Sequence, residues 1–484
     1  MRRYYPVVRA FGLLLICFAL TLLLPLLLSW GLNDGAQSAY DEAFLLTLAV
    51  GLALWWPARH ARAGLKVRDG FLLVVLVWTL LPLFGCLPFL IHLKLSFTDA
   101  YFEAVSGLTA TGATVLSGLD RMPLSINFWR TFMHWIGGMG VVVLAVAILP
   151  LLGIGGRQML RAETPGPMKE NSLTPRIAET AKGLWGVYLL LTVACGLTLW
   201  YLGMEPWDAL MHAFSVMGLG GFSTRDASLG HFASLEIELT VMVFALLSGL
   251  NYATHFLALH GRSLKPYRND PEVPYYFGLL AASILGLTFY LLATGTFTNF
   301  GEALRYVAFH SISLATSLGL ATTDYGQWPF FAQIWMLFLG SFIACSGSTG
   351  GGIKMIRAMI LYKQVYRELM RAMHPNIAWP VRIGANPVPQ NIQFAVLAFG
   401  FMYMTSIVSM TLLMAFSGLD IVTAFSAVVA SINNTGPGLN LVGPSTTFAV
   451  LSDFQTWICA FAMLLGRLEI FTLLVVLTPA FWRR

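Results

Sequence analysis

Four glycine-centred polar stretches decide the fold class of this chain, and each leads from a short amphipathic segment into a long apolar one. They read Thr109-Ala110-Thr111-Gly112-Ala113-Thr114, Gly220-Gly221-Phe222-Ser223-Thr224, Leu318-Gly319-Leu320-Ala321-Thr322-Thr323 and Asn433-Asn434-Thr435-Gly436-Pro437-Gly438. The spacings between the central glycines are 109, 98 and 117 residues. Four copies of helix, re-entrant loop and helix can arrange backbone carbonyls in a ring around one axis, and such a ring replaces the hydration shell of a cation. The pattern therefore predicts an ion pore.

Composition places the chain in the membrane. Of its 484 residues 57% are hydrophobic and 11% are charged, with a mean hydropathy of +0.72. A helix of about 20 apolar residues crosses the ~30 Å hydrocarbon core. Such segments are predicted at 10–31, 42–57, 70–93, 124–152, 184–203, 236–260, 275–296, 328–345 with 353–366, 394–416 and 455–481. We therefore expect an all-α polytopic membrane protein.

The expected architecture is a leading pair of transmembrane helices followed by four pseudo-repeats around one pore. Each repeat contains an outer helix, a short pore helix with its glycine loop, and an inner helix. The predicted boundaries are 1–68 for the leading pair, then 69–175, 176–270, 271–385 and 386–484 for repeats one to four.

The distribution of positive charge predicts the topology. Lys and Arg cluster in alternate connections, at 2–9, 59–68, 157–182, 262–268, 354–382 and 483–484. The other connections hold only Lys94, Arg121, Arg130, Arg225 and Arg305 of the 29 basic residues. By the positive-inside rule both termini are cytoplasmic and the glycine loops lie towards the outside. The net charge of +6 then needs no nucleic-acid partner.

The remaining composition argues against enzymatic chemistry. The five cysteines fall in or beside apolar segments without the spacing of a disulfide framework or a metal site. The apolar segments are nearly empty of acidic residues apart from Glu469, so a polytopic membrane enzyme lacks its catalytic cluster. No cleavage site follows the first apolar run, which predicts an uncleaved first helix. We expect no bound cofactor, only a transported ion.

Two polar positions recur ahead of the loops. Asp99 and Asp208 stand thirteen residues before their glycines, where we expect them to cap the pore helices and complement the helix dipole. Nine residues before the glycines stand Glu103, His212 and His310, with Ala427 in the fourth copy. These groups either hydrogen-bond the loop from behind or are satisfied polar residues packed between helices; we favour the first.

The third inner segment contains a candidate gate. From Trp328 to about Leu369 it would span roughly 63 Å as one helix, twice the hydrocarbon core. Its middle reads Ser346-Gly347-Ser348-Thr349-Gly350-Gly351-Gly352, followed by Ile353-Lys354. Three consecutive glycines each cost about 1 kcal/mol in a helix. Irregular backbone at that depth requires a water-filled cavity or surrounding protein. We therefore predict a break that forms a movable polar loop beneath the glycine ring.

Arg467 is the second gate candidate. It lies near the centre of the last apolar segment, where an arginine costs about 2.5–3.5 kcal/mol on insertion scales. Glu469, two positions on, faces another side of a helix and cannot pair with it directly. Arg467 either places a positive charge in the pore below the ring or pairs with a carboxylate or carbonyls of another repeat. We favour the pore.

These features resemble the Trk/Ktr/HKT superfamily of potassium-translocating membrane proteins. The stretch from Glu163-Thr164-Pro165-Gly166-Pro167-Met168-Lys169 through Pro175-Arg176-Ile177-Ala178-Glu179-Thr180-Ala181-Lys182 resembles its bacterial TrkH/TrkG branch, as does the leading helix pair. Glycine at all four central positions resembles the potassium-favouring members. The third loop departs from the family pattern in its aliphatic Leu318 and Leu320, and the fourth in Pro437 and Gly438.

The resemblance implies functional residues and partners. Backbone carbonyls of the potassium filter are expected at Thr111, Gly112, Gly220, Gly221, Leu318, Gly319, Thr435 and Gly436. The gate is expected at Ser346, Gly347, Ser348, Thr349, Gly350, Gly351, Gly352, Lys354 and Arg467. The resemblance further implies a homodimer in the lipid of the bacterial inner membrane, with a cytosolic nucleotide-binding regulatory subunit of the TrkA type.

The function expected from these features is channel-like potassium uptake driven by the membrane potential. The alternative within transport is a sodium-permeable path, or potassium movement coupled to Na⁺ or H⁺. A purely structural or receptor role would not require four loops in register.

Overall fold

The computed structural model describes residues 4–60, 65–140, 177–377 and 379–483, mostly as α-helices joined by loops. The chain begins with two leading helices, of which the first is interrupted once, at Leu22. Their bounds are Tyr5–Thr21 with Leu23–Leu32, and Gln37–Ala58. The helices that follow are named by the predicted repeats, as the outer, pore and inner helices of units one to four.

The outer and pore helices alternate along the chain. Outer helices 1 to 4 are Val67–Gly85 with Leu87–His92, Ile177–Tyr201, Val273–Ala293 and Gln390–Phe416. Pore helices 1 to 4 are Phe97–Leu108, Pro206–Gly218, Phe300–Ala315 and Ile421–Ile432. At 1.5 Å per residue, pore helices of 12 to 16 residues reach about halfway through a bilayer.

Three of the inner helices continue beyond a break. Inner helix 1 is Leu124–Gly138; inner helices 2 to 4 are Leu235–Ser248 with Tyr252–His260, Phe330–Phe342 with Met355–Met373, and Asp453–Arg467 with Phe471–Leu477. The described residues also contain two short helices, Lys265–Asn269 and Pro479–Trp482, and an antiparallel pair of two-residue strands, Arg382–Ile383 and Asn386–Pro387. Five short 3-10 helices lie in the described loops, at Leu119–Arg121, Ser228–Phe232, Tyr325–Gln327, Asn440–Val442 and Phe448–Val450.

Six described helices are long and apolar enough to cross a membrane, or up to eight if each bent pair forms one span. The outer helices present large apolar side chains outward, as at Phe401 (71% exposed) and Phe416 (89%). Such exposure suits a lipid environment and would be costly in water. The all-α polytopic membrane fold is confirmed. The predicted segment 124–152 beyond residue 140, the basic loop at 157–176 and most of the stretch Glu163–Lys182 lie outside the described residues.

The inner helices correct three expectations. The segment 236–260 is not one straight helix, because its two parts meet at 93°. The segment 455–481 likewise bends by 112°. Arg467 is therefore the last residue of the first part rather than the centre of a continuous helix. The predicted break in the third inner segment is confirmed, with 12 residues between its helical parts.

The N-terminal ends of the pore helices correct a fourth expectation. Asp99 is the third residue of its helix, and the cap is Ser96, whose Oγ accepts the Asp99 N–H at 3.1 Å. Asp208 also lies in the first turn, but its carboxylate accepts from Thr224 Oγ1 (2.7 Å) and Arg225 (2.6 Å). Both carboxylates still stand at the positive end of a helix dipole.

Glycines let the inner helices lie directly against the pore helices. A Cβ on Gly137 or Gly466 would overlap a carbonyl of a pore helix C-terminus, Leu108 or Ile432. One on Gly340 would lie 2.8 Å from the Leu314 carbonyl oxygen. Close backbone approach through small residues is the usual packing of membrane helices. The Gly137–Gly140 stretch therefore serves helix packing.

Candidate pore and gate

Each pore helix ends in the same backbone geometry. The residue two positions before the central glycine has a positive φ in all four units: Ala110 (52°), Leu219 (52°), Ser317 (66°) and Asn434 (52°). The following residue donates its N–H to the carbonyl five positions earlier, over 2.7 to 2.9 Å. This left-handed turn closes the helix and directs its C-terminal, negative dipole end to the glycine loop.

The central glycines have φ values that only glycine adopts without strain. They are +86° at Gly112, +81° at Gly221, +79° at Gly319 and +88° at Gly436. An L-residue in this region costs about 1–2 kcal/mol. The geometry thus explains why glycine recurs at these four positions.

The same glycines bring the four loops together in a closed ring. In every unit, a Cβ added to the central glycine would meet the carbonyl oxygen of the residue before the next unit's glycine. The pairs are Gly112 with Gly220, Gly221 with Leu318, Gly319 with Thr435, and Gly436 with Thr111. The order runs from unit one to unit four and returns to unit one. Four of the eight predicted filter residues, Thr111, Gly220, Leu318 and Thr435, therefore contribute carbonyls to one ring.

Such a ring suits a monovalent cation. Backbone carbonyls and four helix C-termini supply negative partial charge without a fixed carboxylate. Among the described residues, no three His, Cys, Asp or Glu side chains form a group that could hold a metal ion. All five cysteines of the chain lie within the described residues, and all are free thiols.

The polar residues nine positions before the glycines hold the loops from behind. Glu103 accepts the Val115 N–H at 3.1 Å and the Thr114 hydroxyl at 2.9 Å. His212 donates from Nδ1 to its own helix and accepts from Ser223 Oγ at 3.0 Å. His310 accepts the Thr322 N–H at 3.3 Å. The preferred interpretation of Glu103, His212 and His310 as supports of the loops is confirmed.

Unit four uses different groups. Ala427 offers no polar atom, and the preceding Ser426 accepts the Leu439 N–H at 2.9 Å instead. Asn434 reaches across to unit one, where its Nδ2 donates to Thr111 Oγ1 at 2.8 Å. The fourth loop is thus fixed both to its own helix and to the first loop.

The predicted gate loop lies directly against the ends of the pore helices. Thr349 Oγ1 donates to the Met217 carbonyl at 3.1 Å, and the Gly351 N–H donates to Ser317 Oγ at 2.9 Å. A Cβ on Gly351 would overlap the Asn433 carbonyl oxygen. Met217, Ser317 and Asn433 belong to pore units two, three and four. The loop therefore lies adjacent to the ring.

The gate loop leaves its helix and returns to nearly the same place. The Ile353 N–H donates to the Ser341 carbonyl at 2.6 Å, and the Met355 N–H to the Ala344 carbonyl at 2.9 Å. Lys354, 5% exposed, donates from Nζ to the Gly350 carbonyl and to Ser348 Oγ. The side chain of Lys354 thus folds back onto the gate loop and holds Ser348 and Gly350 together.

A carboxylate that sequence reasoning missed joins both ends of the gate loop. Glu272 Oε2 accepts the Ser346 N–H at 2.9 Å and the Ile356 N–H at 3.1 Å. Its side chain is nearly buried just before outer helix 3, and this desolvation raises the pKa of Glu272 to about 7. No sequence pattern pointed to this carboxylate, because Glu272 is 74 residues from Ser346.

Arg467 connects the gate loop to inner helix 1. Its guanidinium donates to the Thr349 carbonyl at 3.1 Å, to the Gly138 carbonyl at 2.9 Å and to the Gly137 carbonyl. The second interpretation of this residue, pairing with carbonyls of other repeats, describes these contacts. Glu469 forms an ion pair with Arg357, at 2.5 Å.

Arg130 is a functional candidate that the sequence analysis did not single out. The charge pattern predicts Arg130 among the five basic residues of the outer connections, but it lies in inner helix 1, fully buried. Its Nε donates to Glu103 Oε1 at 2.8 Å, and neither side chain is exposed. A charged residue buried in an apolar helix is a sign of function.

Comparison with known proteins agrees with this geometry. A sequence model of the TrkH family, described as a cation transport protein, matches residues 37–483. The chain belongs to the TrkH family. It is 47% identical to the Trk system potassium uptake protein TrkH of Salmonella typhimurium, over 99% of both chains. It is 35% identical to the Trk system potassium uptake protein TrkG of Escherichia coli strain K12, over 98% of this chain and 97% of that one.

A solved structure of the family has the same fold. The crystal structure of the potassium transporter TrkH from Vibrio parahaemolyticus matches with a TM-score of 0.89 and 43% identity, over 99% of this chain and 100% of that one. The resemblance to the Trk/Ktr/HKT superfamily, closest to its TrkH/TrkG branch, is confirmed. These relatives are named as transport proteins, not enzymes, and the family supports a multi-pass membrane protein.

Proposed function

We propose that this chain is the potassium-translocating subunit of a bacterial uptake system, through which K⁺ moves as through a channel. The observation that carries the proposal is the closed ring of four glycines and the carbonyls beside them. Carbonyls of Thr111, Gly112, Gly220, Gly221, Leu318, Gly319, Thr435 and Gly436 would coordinate the ion. The names of the relatives support potassium as the substrate.

The membrane potential supplies enough energy for uptake. A monovalent cation that moves inward through ~150 mV gains about 3.5 kcal/mol, at ~2.3 kcal/mol per 100 mV. At about 1.4 kcal/mol per tenfold, this sustains an accumulation of a few hundredfold. No energy-converting step by this chain is therefore required.

The gate would consist of Ser346–Gly352 with Lys354 and Arg467. In the conformation described, this loop lies adjacent to the ring, so it has to move aside before ions pass. A cytosolic nucleotide-binding subunit of the TrkA type would control that movement, on a homodimer in the inner membrane with both termini cytoplasmic. The term Trk system in the relatives' names is consistent with such an assembly.

Ion flux in liposomes tests the proposal. Purified protein is reconstituted, and uptake of K⁺, Rb⁺, Na⁺ and Li⁺ is compared under an imposed potential. We expect the uptake of K⁺ and Rb⁺ to exceed that of Na⁺ and Li⁺. Equal rates for all four ions would contradict selective uptake, and potassium movement that requires Na⁺ or a proton gradient would favour the coupled alternative.

A matched pair of glycine variants assigns the selectivity to the ring. Gly112→Ser forces a side chain towards the Gly220 carbonyl at φ +86° and should lower the K⁺/Na⁺ flux ratio. Gly295→Ser is the control, because Gly295 has a similar φ of +74° with open space around it. Both substitutions strain the backbone, but only the first changes the ring. Equal ratios in the two variants would count against the filter assignment.

A further inference from the structure

One aromatic side chain of the second loop is held by two residues of inner helix 1. Phe222 directly follows the ring glycine Gly221 and is 1% exposed. The His134 imidazole stacks on its ring with centroids 4.0 Å apart and an interplanar angle of 17°. The Arg130 guanidinium carbon lies over the same ring, 4.2 Å from its centroid. We call Arg130, His134 and Phe222 the Phe222 clamp.

The clamp also grips the backbone of the second loop. Arg130 Nη1 donates to the Ser223 carbonyl at 3.3 Å, and the Phe222 N–H donates to His134 Nδ1 at 3.4 Å. The His134 ring lies so close behind Gly220 that a Cβ on Gly220 would overlap it. The backbone on both sides of Gly221 is therefore fixed by inner helix 1.

Through Arg130 the clamp joins the first loop to the second. Its Nη2 donates to Thr114 Oγ1 at 3.2 Å, and its Nε pairs with Glu103, which also accepts the Val115 N–H. A fully buried ion pair holds one geometry, since either charge alone in this site would be uncompensated. The two loops are thereby held at a fixed separation, and the Gly220 carbonyl lies against Gly112.

The other units lack this arrangement. Gly137, Gly340 and Gly466 each lie against a carbonyl near the end of their pore helix, which aligns the three inner helices. Seven residues before them stand Arg130, Gln333 and Cys459, so among these three helices only inner helix 1 carries a charge there. The residues after the other ring glycines, Ala113, Leu320 and Pro437, are not aromatic.

We propose that the Phe222 clamp is a selectivity-determining device, which positions the Gly220 carbonyl by fixing loop two to loop one from inner helix 1. Its members are positioning residues, because they act on the ion through the loop backbone. The inference rests on the proposed function, in that the ring must discriminate K⁺ from Na⁺. It goes further by making that discrimination depend on one asymmetric contact among four loops.

The test compares ion ratios in liposomes for three clamp variants. Phe222→Leu removes the phenyl ring, and His134→Leu removes the imidazole that stacks on it. Arg130→Lys keeps the charge beside Glu103 but loses the planar guanidinium. The contacts of the Phe222 phenyl ring with Arg130 and His134 have the strength of a buried cation–π interaction. Phe222→Leu should therefore lower the K⁺/Na⁺ flux ratio roughly two- to thirtyfold. Leu320→Met, at the same register of loop three, is the control and should keep the wild-type ratio.

The outcomes separate the clamp from a role in folding and from the proposed function. Should Phe222→Leu not fold, His134→Leu and Arg130→Lys decide by the same ratio. Lower total flux or melting temperature with unchanged ion ratios in the clamp variants would overturn the inference alone, because a merely structural role predicts that result. A wild-type protein without preference for K⁺ would overturn the proposed function and this inference together. An equal loss of selectivity in Leu320→Met would show that loop two has no special part.

Discussion

At the scale of single residues, buried charges around the gate loop have contacts that suggest distinct roles. Arg467 binds the Thr349 carbonyl of the loop and two carbonyls at the end of inner helix 1. Glu272 binds both ends of the loop. The arginine therefore tethers the middle of the loop and the glutamate its ends, and their substitution should have different effects.

For Arg467, a charge barrier and a tether predict different results in two variants. Arg467→Ala removes both, so basal K⁺ flux in liposomes should rise. Arg467→Lys keeps the positive charge but cannot reach three carbonyls with one planar group. Wild-type flux in the lysine variant would indicate a charge barrier alone, and intermediate flux would indicate that the tether contributes. An alanine variant that folds normally and conducts less would refute both roles.

For Glu272, the expected effect depends on pH. Burial raises the pKa of its carboxyl from 4.5 to about 7, so the described conformation binds a proton more tightly than a solvated carboxyl does. The neighbouring Asp270 raises this pKa further, while the two backbone N–H groups and Lys354 lower it. If loop displacement exposes Glu272, protonation favours the loop in place. Stability from this group is correspondingly complete below pH 4.5 and lost as the pH rises through about 7.

Basal K⁺ flux should therefore fall as the pH at the cytosolic face is lowered from about 8 to 6, across the pKa of about 7. Glu272→Gln imitates the neutral form, so its flux should be low and nearly independent of pH. Asp270→Asn serves as the neighbouring control and should keep the pH dependence, shifted to lower pH. A glutamine variant with the wild-type pH profile would exclude Glu272 as the titrating group.

These residues show where prediction from one sequence stops. The ring glycines were predictable, because their register repeats and a positive φ requires glycine. Glu103, His212 and His310 were predictable for the same reason of register. Arg130 and Glu272 were not, because each occurs once and acts on a partner distant in sequence. Their positions depend on how the units pack.

At the scale of elements, the breaks in the inner helices were only partly predictable. Three consecutive glycines predicted the break at the gate loop, because glycine is costly in a helix. The 112° bend after Arg467 carries no such signal in Leu468-Glu469-Ile470, where Glu469 and Ile470 adopt positive φ of 53° and 61°. Tertiary contacts such as Arg357 with Glu469 accompany that bend, and composition does not reveal them.

The gate loop should open when one glycine is replaced. Gly351→Ala places a methyl group on the Asn433 carbonyl, which is backbone and cannot move aside, so the loop must leave its position. We expect higher basal K⁺ flux. Gly286→Ala in outer helix 3 is the control, because nothing lies within 4 Å of its Cβ position. Equal flux in the two variants would indicate that this contact does not hold the gate closed.

Deletion within the same loop gives an independent check. Ser341 and Ala344 are hydrogen-bonded to Ile353 and Met355, so the loop can be shortened between them without separating its ends. Removal of several residues from Gly347 to Gly352 should give a folded protein with raised flux that no longer responds to the regulatory subunit. If the shortened protein still requires the subunit to the same degree, the gate lies elsewhere and Arg467 becomes the leading candidate.

At the scale of the whole molecule, the second half of inner helix 3 leads from the gate loop beside the ring to a segment predicted to be cytosolic. The helix Met355–Met373 begins at the end of the gate loop, where the Ile356 N–H binds Glu272 and Arg357 binds Glu469. Its further course carries the basic segment Lys363–Arg371, predicted to be cytoplasmic. A displacement of this helix would strain both contacts and pull the loop from Met217 and Ser317. The repeat boundaries stay a prediction, but the path from helix to loop follows from these contacts.

The regulatory subunit should therefore act through this segment. Lys363→Glu reverses a partly exposed charge whose Nζ donates to the Arg382 carbonyl at 2.8 Å, so the fold should persist. We expect basal K⁺ flux to stay at the wild-type level and the stimulation by the proposed regulatory subunit to fall. Lys265→Glu, in the short helix after inner helix 2, reverses a charge on another predicted cytosolic loop and should keep the stimulation. A uniform loss in both variants would mean that the subunit recognises the positive face as a whole, and the coupling would then have to reach the gate by more than one helix.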